Sequence, residues 1–387
     1  MKKPIRIVAD EHVTLVSTAF GAFGELVTVP ARHIEQALLK DADALIVRSE
    51  TPVDRELLEG TGVQFIGTTT IGFDHLDTHY LRRKQIAFAN APGCNSNAVK
   101  EYVLAALLTM SRRTGVPLEG ATLGVVGVGN IGSRVARMAE LLGMRVLLND
   151  PPLARYTRNP AYLPLDALME ADVITLHVPL TKEGPDPTHH LFGRERIKKM
   201  KPGALLVNSS RGAVVDTAAL KDALKTKLLR GAVLDVWEHE PEIDIELLRL
   251  AAIGTPHIAG YSLEGKINAT EIIRDAFCRH FRLPARPQSA PPVVQRRKKQ
   301  IAVESVEGRL SVRLEPIIRR CYDIEGDDRK LRRIISMDES HRGWHFEVLR
   351  TEYDLRREFL NFDLRMKTKD PILAAVCTDL GFSLTGT

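Results

Sequence analysis

The sequence predicts an α/β protein with two doubly wound, Rossmann-like domains and a small α+β C-terminal domain. Three observations lead to this prediction. The length of 387 residues allows two or three domains. Short aliphatic runs alternate with helical patterns from Ile5 to Phe281, which indicates parallel sheets covered by helices. A segment rich in Pro, Ser and basic residues, RLPARPQSAPPVVQRRKKQ, then reads as a linker to the C-terminal part.

The predicted strands are short β-branched or aliphatic runs. In the first domain they are Ile5–Ala9, Ala44–Val47 and Gln64–Gly67, and in the second Leu123–Val126, Arg145–Leu148, Val173–His177, Ala204–Asn208, Ala232–Val236 and Ile253–Thr255. Apolar residues spaced by three and four predict helices at Asn97–Arg113, Asn130–Leu142, Leu263–Phe281 and Trp344–Phe359. The six strands of the second group suffice for a complete doubly wound domain.

Composition and charge are those of an ordinary folded protein, with 44% hydrophobic and 27% charged residues. Most of the net charge of +5 lies in residues 286–387, which carry 20 Lys and Arg against 16 Asp and Glu. No aromatic residues accompany the basic run Arg296–Lys299, so we expect a solvated linker and no nucleic-acid partner. Four widely spaced cysteines and the lack of a long apolar stretch predict a cytoplasmic protein without membrane contact.

A glycine-rich turn stands between a predicted strand and a predicted helix, with the pattern Gly127-Val-Gly129-Asn-Ile-Gly132. The first glycine permits a tight turn, the second lets a pyrophosphate approach the backbone, and the third allows close helix packing. Asp150 ends the next strand, where a carboxylate can accept hydrogen bonds from a ribose and repels a 2′-phosphate. This context predicts NAD as the cofactor. A helix-capping loop and an S-adenosylmethionine site are the alternatives.

Arg211, Glu240 and His257 each come shortly after a predicted strand of the second domain. We therefore expect them at the carboxyl edge of its sheet, where α/β proteins bind ligands. Oxidation of a hydroxyl beside a carboxylate needs a base, a cation for the carboxylate, and a group that stabilises the protonated base. Imidazole, guanidinium and carboxylate suit these roles. The alternative is a structural ion network or unrelated surface residues.

Two further features carry a less specific signal. His189 and His190 lie in a Pro-containing loop with Asp186, but no second group of ligands accompanies them, so we expect a solvated loop and no metal. Cys94 lies in the turn before the helix Asn97–Arg113. With no base beside it in sequence, we expect a small buried residue and not a nucleophile.

Several motifs together resemble one known family. They are V-R-S at 47–49, G-T-T-T-I-G-F-D-H at 67–75, A-P-G-C-N-S-N-A-V-K-E-Y-V at 91–103, N-D-P-P at 149–152, R-G-A-V-V-D at 211–216, D-V-W-E-H-E-P at 235–241 and P-H-I-A-G-Y-S-L-E-G-K at 256–266. With this spacing the sequence resembles the D-isomer-specific 2-hydroxyacid dehydrogenases. The resemblance implies NAD-dependent oxidation of a small phosphorylated 2-hydroxy acid by a homodimer assembled through the C-terminal domain.

The resemblance also implies roles for individual residues. Arg211, Glu240 and His257 match catalytic residues, and His257 matches the residue that transfers the proton. For the substrate phosphate we expect Arg48 as a nearby cation, and Arg350 or Arg357 reaching over from a partner subunit. The implied NAD contacts are Gly127, Gly129, Asn130, Ile131, Gly132, Asp150, Val178, Ser210, Asp235 and Gly260, and the implied substrate contacts are Arg48, Ser49, Thr70 and Tyr261.

The domain organisation follows from the same resemblance. Residues 1–98 and 264–285 are expected to form a flavodoxin-like substrate-binding domain, residues 99–263 the NAD-binding domain, and residues 286–387 the linker and the C-terminal dimerisation domain. Two other functions remain open at this point. One is a dehydrogenase for another D-2-hydroxy acid such as 3-phosphoglycerate. The other is a binding protein that senses NAD in the manner of a transcriptional corepressor.

Overall fold

The computed structural model describes residues 4–284, 298–304, 306–367 and 369–385. Its strands are β1 (Ile5–Asp10), β2 (Gly24–Val29), β3 (Ala44–Val47), β4 (Phe65–Thr68), β5 (Ala87–Ala89), β6 (Thr122–Val126), β7 (Arg145–Asn149), β8 (Val173–Leu176), β9 (Ala204–Asn208), β10 (Leu229–Leu234), β11 (Ile253–Gly254), β12 (Lys299–Val303), β13 (Phe362–Met366) and β14 (Ser383–Thr385). Its α-helices are α1 (Val16–Phe20), α2 (Gln36–Leu39), α3 (Arg55–Leu58), α4 (Thr78–Lys84), α5 (Ser96–Thr114), α6 (Gly132–Leu141), α7 (Pro151–Thr157), α8 (Arg194–Lys199), α9 (Thr217–Lys225), α10 (Ile245–Leu250), α11 (Leu263–Phe281), α12 (Leu310–Cys321), α13 (Ile324–Arg332), α14 (Glu339–Thr351) and α15 (Pro371–Leu380). Much of the predicted linker, with residues 296 and 297 of the basic run, lies outside the described residues.

The chain divides into two compact units, Met1–Asn95 with Ser262–Arg297 and Ser96–Tyr261 with Lys298–Thr387. The first contains a parallel five-stranded sheet in the order β2-β1-β3-β4-β5, which is the flavodoxin-like order. Helix α11 returns to this sheet and packs closely on β4. A Cβ on Gly67 would lie 2.3 Å from Cγ2 of Ile273, so a residue without a side chain is needed there.

The second unit contains a parallel six-stranded sheet in the order β11-β10-β9-β8-β6-β7. The strand order reverses at β6, which pairs with β7 on one side and β8 on the other. This is the switch point at which doubly wound sheets bind ligands. At the outer side of β7, Leu148 forms an isolated parallel bridge with Tyr162. Helix α5 is buried along most of its length within the core of this unit.

The C-terminal segment belongs to the second unit. Its parallel three-stranded sheet, β12-β13-β14, and helices α12 to α15 form the small α+β part that the sequence predicts. Ion pairs join it to the end of α5, where Arg112 contacts Glu315 and Arg113 contacts Glu325, each at 2.8 Å. The predicted fold class is therefore confirmed. The boundaries of three separate domains remain a prediction.

One predicted helix is wrong in its bounds. The segment Trp344–Phe359 was expected to be helical throughout, but α14 spans Glu339–Thr351 and residues 352–358 are not helical. The helix ends at Thr351 because the side chains of Arg356 and Glu358 are buried against other elements, which a continued helix would not allow. Strands β2 and β5 were not predicted, since neither carries a buried residue. Among the described residues, no helix is long and apolar enough to cross a membrane.

Candidate active site

The glycine-rich turn joins β6 to α6 at the switch point of the six-stranded sheet. Gly127 has a φ of 85°, and a Cβ there would lie 2.6 Å from the carbonyl oxygen of His177. A Cβ on Gly132 would lie 1.9 Å from the carbonyl oxygen of Gly127, whereas one on Gly129 would meet no atom within 4 Å. The first and third glycines are thus required by the protein's own packing. The middle position leaves the backbone accessible, which fits a pyrophosphate at this helix N-terminus.

The other predicted cofactor contacts surround this turn. Asn130 and Ile131 lie in the turn itself, and Val178 follows β8 with its Cγ1 2.9 Å from where a Cβ on Gly127 would lie. Asp150 directly follows β7 and has two structural contacts: Oδ2 accepts from the N–H of Val128 at 2.8 Å, and Oδ1 caps α7. A carboxylate has about four acceptor positions, so Asp150 keeps the capacity to bind a ribose.

Arg211, Glu240 and His257 lie after three neighbouring strands, β9, β10 and β11. Because these strands are parallel, the three residues emerge at the same edge of the sheet. Asn208 organises the turn after β9. Its side chain accepts from the N–H and Oγ of Ser210 and donates to the carbonyl of Arg211 at 2.9 Å.

Glu240 and His257 form a hydrogen-bonded pair. Oε2 of Glu240 lies 2.7 Å from Nδ1 of His257, and Oε1 accepts from the N–H of Trp237 at 2.8 Å. Burial acts to raise the pKa of Glu240, but His257, the Trp237 N–H and the charge of Arg350 together hold it below its ordinary value. Glu240 is therefore an ionised carboxylate that fixes the imidazole and can stabilise its protonated form.

Asp235, the residue directly after β10, holds the backbone of the His257 loop. Its Oδ1 accepts from Oγ1 of Thr255 at 2.7 Å and from the N–H of Ile258 at 2.8 Å, while Oδ2 accepts from the N–H of Ala259 at 2.9 Å. The side chain is fully buried, and burial raises the pKa of Asp235. These bonds support His257 in a left-handed backbone conformation with a φ of 57°, which is unfavourable for a residue with a side chain.

Close backbone packing explains why residue 212, which follows Arg211, is a glycine. A Cβ at this position would lie 1.9 Å from the backbone carbon and oxygen of Trp237. Only glycine permits this approach, so the Arg211 turn and the segment leading to Glu240 are packed backbone against backbone. Sequence reasoning noted the motif but not this packing requirement.

An arginine from the C-terminal segment holds the loop after His257, and sequence reasoning did not assign it this role. Arg356 is 8% exposed. It donates to the carbonyls of Ile258 at 3.1 Å and Tyr261 at 3.0 Å, and also to those of Ala259 and Ala98. Gly260 lies inside this clamped stretch. The only signal in the sequence is the Arg356-Arg357 pair itself, which does not show what it contacts.

The predicted substrate contacts divide between the two units. In the first unit, Ser49 follows β3 and Thr70 follows the neighbouring strand β4, so both lie at one edge of that sheet. Thr70 Oγ1 lies 2.7 Å from Oγ1 of Thr68. Arg48 is paired with two carboxylates, Asp10 at 2.7 Å and Glu50 at 3.1 Å. In the second unit, Tyr261 ends the loop that Arg356 holds.

A histidine pair lies near the segment that leads to Glu240. The rings of His189 and His190 stack with centroids 4.1 Å apart, and Nε2 of His190 lies 2.7 Å from Oε1 of Glu238. Possible ligand atoms of these three residues all lie within 4.8 Å of one another. Sequence reasoning did not anticipate Glu238 as the neighbour. The expectation that the protein needs no metal stays a prediction.

Comparison with known proteins defines the class to which this geometry belongs. Residues 96–259 match the model of the D-isomer specific 2-hydroxyacid dehydrogenase NAD binding domain, and residues 298–381 match a domain of unknown function. The chain is 29% identical to a D-lactate dehydrogenase from Aquifex aeolicus solved with NAD and lactic acid, with a TM-score of 0.60 over 72% of this chain and 95% of that one. A 3-phosphoglycerate dehydrogenase from Entamoeba histolytica with bound NAD⁺ is 27% identical, with a TM-score of 0.62 over 72% and 95%. The fold and the NAD-binding domain are those of the NAD-dependent 2-hydroxyacid dehydrogenases.

Full-length relatives narrow this class. An erythronate-4-phosphate dehydrogenase from Azotobacter vinelandii is 44% identical, covering 97% of this chain and 99% of its own. One from Stutzerimonas stutzeri is 43% identical over 98% and 100%. The chain therefore belongs to the erythronate-4-phosphate dehydrogenase family, within the D-isomer specific 2-hydroxyacid dehydrogenases. The family resemblance and the prediction of NAD are confirmed.

Proposed function

We propose that this protein oxidises 4-phospho-D-erythronate at its 2-hydroxyl to 3-hydroxy-2-oxo-4-phosphooxybutanoate, a step in the biosynthesis of pyridoxal phosphate. The observation that carries the proposal is the pairing of His257 with the ionised Glu240 at 2.7 Å, beside the Arg211 turn, in a chain with 44% identity to a relative of that name. This arrangement supplies the base and cation that oxidation of a 2-hydroxy acid requires.

The proposed mechanism assigns one task to each residue. Arg211 binds the substrate carboxylate through its guanidinium fork. Nε2 of His257 accepts the proton of the 2-hydroxyl as the C2–H bond breaks, and Glu240 stabilises the imidazolium that results. Bound NAD⁺ would supply the acceptor for the hydride from C2. The substrate loses one proton to His257 and one hydride, which carries both electrons, and a ketone remains.

The cofactor would be held by the glycine turn and the residues around it. We assign pyrophosphate binding to the backbone at Gly127, Gly129, Asn130, Ile131 and Gly132, ribose binding to Asp150, and further contacts to Val178, Ser210 and Gly260. Asp235 is assigned to the nicotinamide carboxamide. Three of its acceptor positions are already used by the His257 loop, so it would bind through the remaining one.

Substrate contacts and assembly complete the proposal. Ser49 and Thr70 in the first unit, and Tyr261 in the second, are assigned to the substrate. The two α/β parts would act as a substrate-binding domain, residues 1–98 with 264–285, and an NAD-binding domain, residues 99–263. Residues 286–387 would join two copies of the chain into a homodimer in the cytoplasm. The sedimentation coefficient of the purified protein tests whether this dimer forms.

A substrate panel tests the proposed activity. NADH absorbance is followed with 4-phospho-D-erythronate, D-3-phosphoglycerate and D-lactate in parallel, and turnover is expected to be highest with the first. Turnover with phosphoglycerate alone would replace the substrate assignment. No turnover with any of the three, by a protein that binds NADH, would instead favour a binding protein.

A further inference from the structure

The proposed substrate carries two anionic groups, a carboxylate and a phosphate, and Arg211 can serve only one of them. Arg48 is a poor second cation because its guanidinium already contacts Asp10 at 2.7 Å and Glu50 at 3.1 Å. These two carboxylates offset its charge and use its Nε and one of its terminal nitrogens. The phosphate therefore needs another cation within the site.

Arg350, in the last turn of α14, meets this requirement. Its side chain is 16% exposed. Tyr353, three residues further along the chain, packs its ring against that of Tyr261 with centroids 6.1 Å apart, and the charges of Tyr261 and Glu240 act on Arg350. The sequence-based expectation was that Arg350 or Arg357 reaches over from a partner subunit. Arg350 lies near Tyr261 of its own chain, so it can act within one subunit. The arrangement across a dimer stays a prediction.

The donors of Arg350 are only partly used. NH1 donates to both carboxylate oxygens of Glu347, at 2.9 and 3.1 Å. Its Nε is buried and makes no hydrogen bond with any part of the protein that the structure describes. A buried charged donor without an acceptor is costly, so this N–H is suited to a ligand oxygen. Burial opposes the charge, but Tyr261, Glu347 and Glu240 raise the pKa of Arg350, which stays a cation.

We infer that Arg350 is a substrate-binding residue that recognises the phosphate of the proposed substrate from within the same subunit. This inference rests on the proposed function. It makes the C-terminal segment part of the active site. It also explains how this chain would select a phosphorylated 2-hydroxy acid over one that lacks the phosphate. Charge-assisted hydrogen bonds to phosphate give this kind of selectivity.

The test compares phosphorylated and unphosphorylated substrates. kcat/KM is measured for 4-phospho-D-erythronate and for D-erythronate with the wild type and with Arg350→Gln. We expect kcat/KM for the phosphorylated substrate to fall on the order of 10- to 100-fold, mainly through KM, and that for D-erythronate to change less than about 3-fold. An equal fall for both substrates, or no fall, would overturn the inference.

Glu347→Gln is the matched control, because it breaks the same ion pair but leaves the cation in place. The KM of Glu347→Gln for the phosphorylated substrate should not rise. A rise equal to that of Arg350→Gln would show that the Arg350–Glu347 ion pair, and not the cation itself, is needed for substrate binding. Arg350→Met, which keeps the aliphatic stem, is the second variant and should behave like Arg350→Gln. If both Arg350 variants lose NADH binding, the residue is structural and the inference is wrong. A wild type that does not oxidise 4-phospho-D-erythronate contradicts the proposed function itself.

Discussion

Replacing Arg356 should both destabilise the second unit and slow catalysis. The side chain is 8% exposed, donates to four backbone carbonyls and stacks 4.3 Å from the ring centre of Tyr322. Each buried acceptor left without a donor costs about 1–3 kcal/mol, but neighbouring losses are not additive because the loop can relax. We therefore expect Arg356→Met to lower the free energy of unfolding by about 3–5 kcal/mol. Arg356→Lys keeps the charge without the planar fork and should cost about 1–2 kcal/mol.

Tryptophan fluorescence during urea unfolding measures this loss. Both tryptophans of the chain lie in the second unit. Trp237 is 4% exposed and donates its indole N–H to the carbonyl of Thr255 at 3.0 Å, two residues before His257. The control is Arg320→Met, which removes an exposed arginine that donates to a single carbonyl, and it should stay within about 0.5 kcal/mol of wild type. The reasoning is refuted if Arg356→Met unfolds at the same urea concentration as this control.

Two further predictions concern the cofactor turn and the strand beside it. Gly132→Ala places a Cβ 1.9 Å from a backbone oxygen, so it should lower the free energy of unfolding by about 2 kcal/mol or more and abolish NADH binding. A Cβ on residue 129 meets no atom within 4 Å. Gly129→Ala should therefore unfold within about 0.5 kcal/mol of the wild type, yet bind NADH about 10-fold or more weakly. Urea unfolding and NADH fluorescence titration check both, and equal stabilities of the two variants would be inconsistent with the packing. Burial lowers the pKa of His177 from 6.5 to about 3, so below pH 6.5 the unfolded chain binds a proton that the folded protein does not. Stability should therefore be complete above about pH 6.5 and fall towards pH 3, by up to about 1.4 kcal/mol per pH unit. Urea midpoints at several pH values should show a shallower slope for His177→Gln, and parallel slopes would argue against this role.

Much of the fold can be predicted from local sequence because parallel strands and their connecting helices have clear periodicity. Strands β3 and β9 and helix α11 lie within their predicted bounds. The glycine turn could also be predicted, since its spacing reflects one local backbone geometry. The charged residues after β9, β10 and β11 could be grouped because parallel strands end at one edge.

The contribution of the C-terminal segment could not be predicted in the same way. Arg350 and Arg356 are more than 80 residues from the loop they contact, and no periodicity encodes a contact over that distance. The apolar spacing in Trp344–Phe359 favours a continuous helix, but the contacts of Arg356 stabilise an extended backbone more than helix propensity stabilises the helix. The pairing of His189 and His190 with Glu238 was missed for the same reason, since Glu238 is distant in sequence.

The measurement that tests the proposed mechanism most directly is single-turnover formation of NADH from 4-phospho-D-erythronate by His257→Ala. If His257 accepts the hydroxyl proton, the rate of this step should fall on the order of 10² to 10⁴-fold, while NADH binding by fluorescence titration stays close to that of the wild type. A variant that binds NADH and forms it at the wild-type rate would contradict the account.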